Sequence, residues 1–183
     1  MRHVRLVRRK GRFTPGFVRP GRPSYDARRF ECDALQASSG RCAVADNVQG
    51  LEVGSKAIFS KAVTAADILK FAEVSGDTNA LHSDPAYAAR TRFKQPIAHG
   101  MFGAGIISAA LGTRLAPTSV VIYLGQNLQF RAPVMAGDTL TATCTVTKVD
   151  TERSRVSLDT VVTKQDGTEV IRGDATVMVE ALG

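Results

Sequence analysis

The sequence contains no tryptophan, only three cysteines, and no apolar run approaching the ~20 residues that a membrane-spanning helix requires. The cysteines, Cys32, Cys42 and Cys144, form no CxxC pair. This sparse set gives no disulfide framework and no cysteine zinc site, and it fits a reducing compartment. We therefore expect a cytoplasmic protein with no membrane segment, and its hydrophobic fraction of 44% is enough for a buried core.

Acidic residues are scarce only in the first part of the chain. Residues 1–50 hold eleven Lys and Arg against four acids, whereas the remaining 133 residues carry no net charge. The formal charge of +7 therefore belongs to the first segment alone. It gives no reason to expect nucleic-acid binding by the folded domain.

Residues 1–49 are rich in Arg, Gly, Pro and Ser and lack sustained apolar periodicity. We predict that they form a basic, largely disordered extension, followed by one domain over residues 50–183. The interpretation that we favour is an upstream translation extension without a role. An Arg-rich start is also typical of a mitochondrial transit peptide, which would place the protein in the matrix. A basic arm that touches RNA or membrane is a further alternative.

Helical patterns occupy the first half of the predicted domain. Thr64 and Asp67 have the spacing of a capping box, and apolar residues follow at helical intervals to about Val74. Asp84 before Pro85 predicts a helix cap and a second, short helix. The small and apolar run at 101–111 predicts a third helix, and its all-round hydrophobic character predicts burial on all sides.

Period-two patterns occupy the second half, and one earlier strand is expected near residues 56–61. The four later strands are predicted at residues 120–130, 139–147, 155–164 and 169–179. An Asp-Gly pair at 166–167 predicts a hairpin turn between the last two. Helices followed by an antiparallel meander indicate an α+β fold, with a curved antiparallel sheet wrapped around the long buried helix.

Candidate catalytic residues lie in two neighbouring stretches. Asp77 and His82 lie in a predicted loop after the first helix, and a carboxylate with an imidazole can hold and activate one water. Gly100 begins the apolar helix, where free backbone N–H groups and the helix dipole can receive a developing oxyanion. We expect Asn79 to orient the loop and His99 to hold the turn before the helix.

These stretches resemble a known family. The letters DTNALH at 77–82 are similar to the D-x-N-P-L-H motif of R-specific enoyl-CoA hydratases of the MaoC-like hot-dog group, and AHGM at 98–101 matches the family's helix start. Residues of the following strands match as well: YLGQ at 123–126, Phe130, Pro133, Val134, Gly137 and Asp138. The likeness covers about 51–180, and LEVG at 51–54 is similar to the family's first strand. One departure is Ala80, where the family usually has proline.

The resemblance implies a hot-dog fold and a homodimer with a continuous sheet. It implies a lyase of fatty acid metabolism that hydrates trans-2-enoyl-CoA reversibly, in the syn sense, to (R)-3-hydroxyacyl-CoA, as for polyhydroxyalkanoate synthesis. No metal ion or other cofactor is expected. Asp77 and His82 would be the catalytic pair, with Asp84 as the alternative carboxylate. The expected substrate-binding residues are Gly100, Asn79, Ser108 and Leu111. Core packing explains the last two equally well.

Three other functions stay open at this point. A 3-hydroxyacyl-ACP dehydratase would run the same chemistry backwards on an acyl-carrier-protein substrate. It would need a basic surface, for which Arg90, Arg92 and Lys94 are candidates, but CoA phosphates need the same charges. A hot-dog thioesterase would not need this pair in this spacing. A non-enzymatic acyl-binding domain is the last alternative, and the intact Asp77 and His82 argue against it.

Overall fold

The computed structural model describes residues 48–183. The predicted extension therefore lies outside the described residues, except for its last two. Of these, Val48 is buried and forms an isolated backbone bridge with Leu51. The elements in chain order are β1 (Lys56–Ala62), α1 (Ala65–Ser75), α2 (Ala80–Ser83), α3 (Pro85–Ala89), α4 (Gly100–Ala110), a π-helical turn (Leu111–Leu115), β2 (Ser119–Phe130), β3 (Thr139–Asp150), β4 (Arg155–Thr163) and β5 (Glu169–Ala181).

The strands form one five-stranded antiparallel sheet in the order β1-β3-β4-β5-β2. The meander of β3, β4 and β5 agrees with the alternating patterns, and the hairpin predicted at residues 166–167 is confirmed, with Gly167 at φ +84°. The segment 51–54, similar to a first strand by sequence, is instead a turn before β1. β1 and β2 are the two edges of the sheet.

Helix α4 packs against the curled sheet and contacts β1, β3 and β4. This confirms the predicted architecture of a sheet around one helix. The prediction that the helix is buried on all sides is wrong for the described chain, because Met101, Gly105 and Ser108 lie along an exposed face. The buried face consists of Phe102, Gly103, Ile106, Ile107 and Ala110. Within residues 48–183, no helix has the length and apolarity to cross a membrane.

The capping box predicted at the start of α1 is confirmed. The Thr64 N–H donates to Asp67 Oδ2 at 3.0 Å, and the Asp67 N–H donates to Thr64 Oγ1 at 3.1 Å. The Thr64 hydroxyl also donates to Asp67 Oδ2 at 2.7 Å. This bond, together with the one from the Thr64 N–H and the ion pair with Lys61 at 3.2 Å, lowers the pKa of Asp67 to about 2. The helix ends at Gly76, whose φ of +77° is a left-handed conformation that glycine adopts without strain. The site loop begins directly after it.

A β-bulge in β2 changes which side chains share a face. The register shifts between Tyr123 and Gly125, so Tyr123 and Gln126 meet, although a spacing of three would separate them on a regular strand. The Tyr123 O–H donates to Gln126 Oε1, and the Gln126 amide donates to the buried Thr160 hydroxyl at 3.0 Å. Burial raises the pKa of Tyr123 to about 12.

Candidate active site

The loop that carries Asp77 is held by two short helices placed end to end. The Asn79 side chain caps α2 by accepting from the Leu81 N–H at 3.0 Å, and the Asn79 N–H donates to Asp77 Oδ1 at 3.3 Å. Asp84 caps α3 through the N–H groups of Ala86 and Tyr87, which confirms its predicted capping role. Asn79 therefore links Asp77 to α2, a helix that the sequence did not predict.

His82 lies in α2 and has a defined hydrogen-bond partner. Its Nδ1 is 2.7 Å from the backbone carbonyl of Ile97. A carbonyl oxygen can only accept, so Nδ1 carries the hydrogen. In the neutral ring, Nε2 then has a free lone pair, and it is the nitrogen available to a water or a substrate.

His99 is the third titratable group of this cluster. Its Nε2–H donates to the backbone carbonyl of Asp77 at 2.9 Å and lies 4.0 Å from Asp77 Oδ2. Its ring stacks on that of His82, with centroids 3.7 Å apart and planes inclined by 27°. The two ends of the cluster differ in access to solvent, since the side chain of His99 is 3% exposed and that of Asp77 is 55% exposed.

These three side chains could be considered as metal ligands, because one ligand atom from each lies within 4.8 Å of the others. The ring orientations do not favour that use. Imidazole lone pairs lie in the ring plane, so the lone pairs of two rings stacked at 27° lie in nearly parallel planes, an arrangement that does not favour convergence on one ion. The Nε2 of His99 is also occupied as a donor to Asp77. The arrangement suits a bound water better than a coordinated ion.

Gly100 lies next to this cluster as the first residue of α4. The first N–H groups of a helix have no partner within the helix, so that of Gly100 is available to an anionic oxygen. Gly100 also lines a cavity of about 270 Å³ between α4 and the loop after β2. Other lining residues include His99, Arg92, Phe130, Arg131 and Ile171.

The structure places the remaining predicted residues in different surroundings. Ser108 is on the exposed face of α4, and Leu111 is packed in the core, so neither is among the residues around the 270 Å³ cavity. Arg92, named from sequence as a carrier-binding candidate, does line it. Arg131 was missed, because a single Arg after a strand carries no pattern that distinguishes it from a surface residue.

Cys144 is the cysteine that the structure describes, and it lies in the middle of β3. It is fully buried, and burial raises the pKa of the thiol to about 12. The nucleophilic thiolate is therefore essentially absent at neutral pH. Cys144 acts as a small core residue, which agrees with its alternation with threonines in the sequence.

A curled antiparallel sheet around one long helix, with a polar loop packed at the start of that helix, is the architecture of a hot-dog domain. The model of the MaoC like domain family matches residues 49–170. The chain belongs to this MaoC-like family.

Individual relatives match this chain over most of their own lengths. The chain is 48% identical to an (R)-specific enoyl-CoA hydratase of Rhodospirillum rubrum over 135 residues, which cover 74% of this chain and 92% of that protein. It is 43% identical to a 3-hydroxybutyryl-CoA dehydratase of Methylorubrum extorquens, covering 72% and 82%. Among solved structures, an (R)-hydratase from A. caviae involved in PHA biosynthesis matches with a TM-score of 0.67 and 45% identity, over 71% of this chain and 98% of that one.

Proposed function

We propose that this protein is an (R)-specific enoyl-CoA hydratase, a hydro-lyase that adds water reversibly to trans-2-enoyl-CoA to give (R)-3-hydroxyacyl-CoA. The observation that carries the proposal is the position of Asp77, in the loop after α1, and of His82, in the adjoining helix α2, where hydrogen bonds hold both beside the start of α4. Sequence identity of 48% to a hydratase of this name supports it. The proposal includes Asp77 and His82 as the catalytic pair.

In the proposed reaction, the pair holds one water between the Asp77 carboxylate and Nε2 of His82. The water oxygen forms a bond to C3 of the enoyl group while one of its O–H bonds breaks, and the pair takes that proton. The π electrons of C2=C3 form a C–H bond at C2 with a proton that the pair returns. Both bonds form on the face where the pair lies, so the addition is syn and leaves the protonation of the pair unchanged.

Negative charge develops on the thioester oxygen during this step. We propose that the Gly100 N–H, at the positive end of the α4 dipole, donates to that oxygen. A backbone donor held by a helix is in place before the charge appears, so no reorganisation is needed during reaction. The absence of a side chain at Gly100 leaves the N–H open to the substrate.

The test is to incubate the full chain with crotonyl-CoA and follow the absorbance of the enoyl thioester. We expect its loss, with (R)-3-hydroxybutyryl-CoA as the product by chiral analysis. Release of free thiol, measured in parallel, would instead identify a thioesterase. An (S) product or no reaction with enoyl-CoA substrates of increasing chain length would contradict the proposal.

CoA is the carrier that we propose, and Arg92 is the residue that we expect to bind its phosphates. Arg92 borders the cavity that reaches Gly100, and its guanidinium lies over the Phe93 ring at 4.8 Å. Arg131, on the same cavity, is already paired with Glu169 at 2.9 Å. Within residues 48–183, Arg92 forms no ion pair, so its charge is available to a phosphate.

Replacing Arg92 by Ala should raise KM for crotonyl-CoA about three- to tenfold, through loss of one partly exposed charge-assisted contact. KM for the N-acetylcysteamine thioester, which has no phosphate, should not change. Arg114→Ala, an exposed arginine away from the cavity, is the matched control. A higher kcat/KM for crotonyl-ACP than for crotonyl-CoA in the wild type would favour the ACP dehydratase alternative.

We also propose that two copies pair through β2. This edge strand is twelve residues long and exposes the apolar side chains of Val120, Ile122, Leu124 and Phe130, a combination that invites strand pairing. A second copy on this edge would extend the sheet and could cover Ser108 on the exposed face of α4. We keep the predicted acyl pocket at Ser108 and Leu111 as part of this proposal, with the second copy covering Ser108.

Sedimentation of the full chain tests the pairing. The wild type should sediment as a dimer, and the double variant Ile122→Lys/Leu124→Lys should sediment as a monomer, since charges on an edge strand oppose pairing. Val74→Lys replaces a more exposed apolar residue on α1 and should remain dimeric. A monomeric wild type would contradict the proposal.

We likewise propose a cytoplasmic location, and the unpaired buried thiol of Cys144 is consistent with it.

A further inference from the structure

We infer that His99 is a positioning residue that holds both members of the proposed catalytic pair, Asp77 and His82, in the relative orientation that the reaction requires. The inference rests on the proposed function. Its starting point is that one buried side chain contacts the backbone of Asp77 and the ring of His82 at once. The expectation from sequence was different, namely that His99 holds the turn before α4.

His99 does not act as a helix cap. It occupies the N-cap position of α4, but its side chain makes no capping hydrogen bond to any described residue. The side chain instead reaches back to the loop after α1 and donates to the Asp77 carbonyl. The imidazole therefore serves the site loop rather than the end of its own helix.

The two ring nitrogens of His99, one bonded and one without a partner, also argue against a purely stabilising role. Its donor nitrogen is fixed as Nε2, because the Asp77 carbonyl can only accept. In the neutral ring, Nδ1 then carries a lone pair and no hydrogen. This nitrogen is buried without a hydrogen-bond partner among residues 48–183. A buried polar atom without a partner destabilises the folded state.

An apolar aromatic ring would suit this position better if stability were its only purpose. The neighbours of His99 include Phe71, with ring centroids 5.0 Å apart, and Phe71 in turn packs edge-to-face on Phe102. A phenylalanine could keep these ring contacts and leave no unpaired nitrogen. What a phenylalanine lacks is the Nε2–H bond to Asp77, so that bond is the feature that the imidazole supplies.

The two contacts of His99 restrict the pair in complementary ways. The bond to the Asp77 carbonyl fixes the backbone from which the carboxylate extends. The stack on His82 fixes the plane of that ring, whose rotation is already limited by the bond from Nδ1 to the Ile97 carbonyl. A small loss of alignment of reacting groups lowers the rate of the chemical step more than substrate binding. Removing the Nε2–H should therefore lower kcat and leave KM nearly unchanged.

Two variants separate positioning from packing. His99→Phe keeps the ring and loses the donor, whereas His99→Gln keeps an N–H near the position of Nε2 and loses the ring. With crotonyl-CoA, we expect His99→Phe to lower kcat about 10- to 100-fold with KM within about twofold, and His99→Gln to lower it less. The melting temperatures should follow the opposite order, with His99→Phe at least as stable as wild type and His99→Gln less stable.

The two variants would therefore rank in opposite orders by kcat and by melting temperature. A purely structural residue is not expected to give this result, because its variants lose activity and stability together. As a further check, His99→Phe added to Asp77→Asn should cost less than about twofold in residual kcat, because both act on one alignment. Three results would overturn the inference: His99→Phe keeps kcat within about threefold of wild type, it fails to fold, or it lowers kcat as much in the Asp77→Asn background as in the wild type. Wild-type chain without hydratase activity would overturn the proposed function, and an active wild type separates the two outcomes.

Discussion

Gly100 and Phe130 lie so close that a Cβ on Gly100 would be 2.9 Å from Cε1 of the phenylalanine ring. Phe130 is more than half exposed, so its ring can move aside at modest cost. A side chain at Gly100 therefore has two effects, displacement of Phe130 and obstruction of the Gly100 N–H. They must be separated before this glycine can be assigned to an oxyanion site.

Gly100→Ala should lower kcat for crotonyl-CoA about 10- to 100-fold, less than the 10²–10³ of a missing oxyanion donor, because the N–H is obstructed rather than removed. Gly100→Val should also raise KM. In the Phe130→Leu background, which gives the new methyl group room, the loss of kcat should persist. Normal hydration by Gly100→Val would place the oxyanion site elsewhere, and recovery in the double variant would assign the loss to Phe130.

A second close approach fixes α4 against the sheet. A Cβ on Gly103 would lie 2.6 Å from Cδ1 of the buried Ile171 in β5. Gly103→Ala should therefore lower the free energy of unfolding by about 1–3 kcal/mol, the usual cost of overpacking. Denaturant unfolding at constant m-value is the measurement.

Ile171→Val provides a matched rescue, because it removes the Cδ1 atom that the new methyl group would meet. Alone it should cost about 0.5–1.5 kcal/mol. Combined with Gly103→Ala, it should cost clearly less than the sum of the two single variants. Additive losses would mean that Gly103 is required for a reason other than contact with Ile171.

The capping box of α1 should make stability depend on pH in the acid range. The pKa of Asp67 is lowered from 3.8 to about 2 in the folded chain, mainly by hydrogen bonds from Thr64. A lowered folded pKa stabilises the native state above the unfolded value, and this contribution disappears as pH falls from near 4 towards 2. The stability difference between wild type and Asp67→Asn should accordingly shrink over this range. A difference that is constant with pH would contradict the assignment.

Residues 1–46, the part of the predicted extension that precedes the buried Val48, should be dispensable for catalysis, because the proposed site residues all lie between Asp77 and Leu111. We predict that a chain beginning at residue 47, which keeps the buried Val48, has unchanged kcat/KM and melting temperature. The control is a chain beginning at residue 52, which loses the bridge between Val48 and Leu51 and should melt lower. A large loss of kcat/KM or of melting temperature in the chain beginning at residue 47 would show that the extension contributes to the fold or the site.

The fold was predictable from sequence to the extent that local patterns determine it. The capping box at Thr64, the Asp-Gly turn before β5 and the alternating strands each carry a signal within a few residues. Helix α2 carries no such signal, since its four residues make about one turn, which is too short for an apolar pattern to repeat. Its start is capped by the Asn79 side chain. The exposed face of α4 was also missed, because small residues such as Gly105 are often buried and therefore did not mark this face as exposed.

The candidate site was predictable in its residues but not in its connections. Asp77 and His82 stand close in sequence, and a carboxylate beside an imidazole has an evident chemical meaning. The contact between His99 and Asp77 joins residues 22 positions apart, and no periodicity encodes it. The approach of Phe130 to Gly100 likewise depends on where β2 ends relative to α4, which is a property of the assembled sheet.

The central claim is that Asp77 and His82 carry out hydration. Asp77 is largely exposed, and an asparagine keeps an oxygen that can accept from the Asn79 N–H, so Asp77→Asn should fold normally. His82→Gln should also fold, because an amide N–H can replace Nδ1–H at the Ile97 carbonyl. Asp84→Asn is the matched control, since Asp84 caps α3 and is the nearest alternative carboxylate in the sequence.

The most direct measurement is kcat for crotonyl-CoA in these three variants, with melting temperatures taken on the same samples. Asp77→Asn and His82→Gln should each lose about 10²- to 10⁴-fold in kcat with little change in melting temperature, as expected for a positioned acid–base group. Asp84→Asn should keep both its kcat and its melting temperature, because the asparagine Oδ1 can still accept from the N–H groups of Ala86 and Tyr87. Wild-type kcat in either Asp77→Asn or His82→Gln, or a loss confined to Asp84→Asn, would contradict the account.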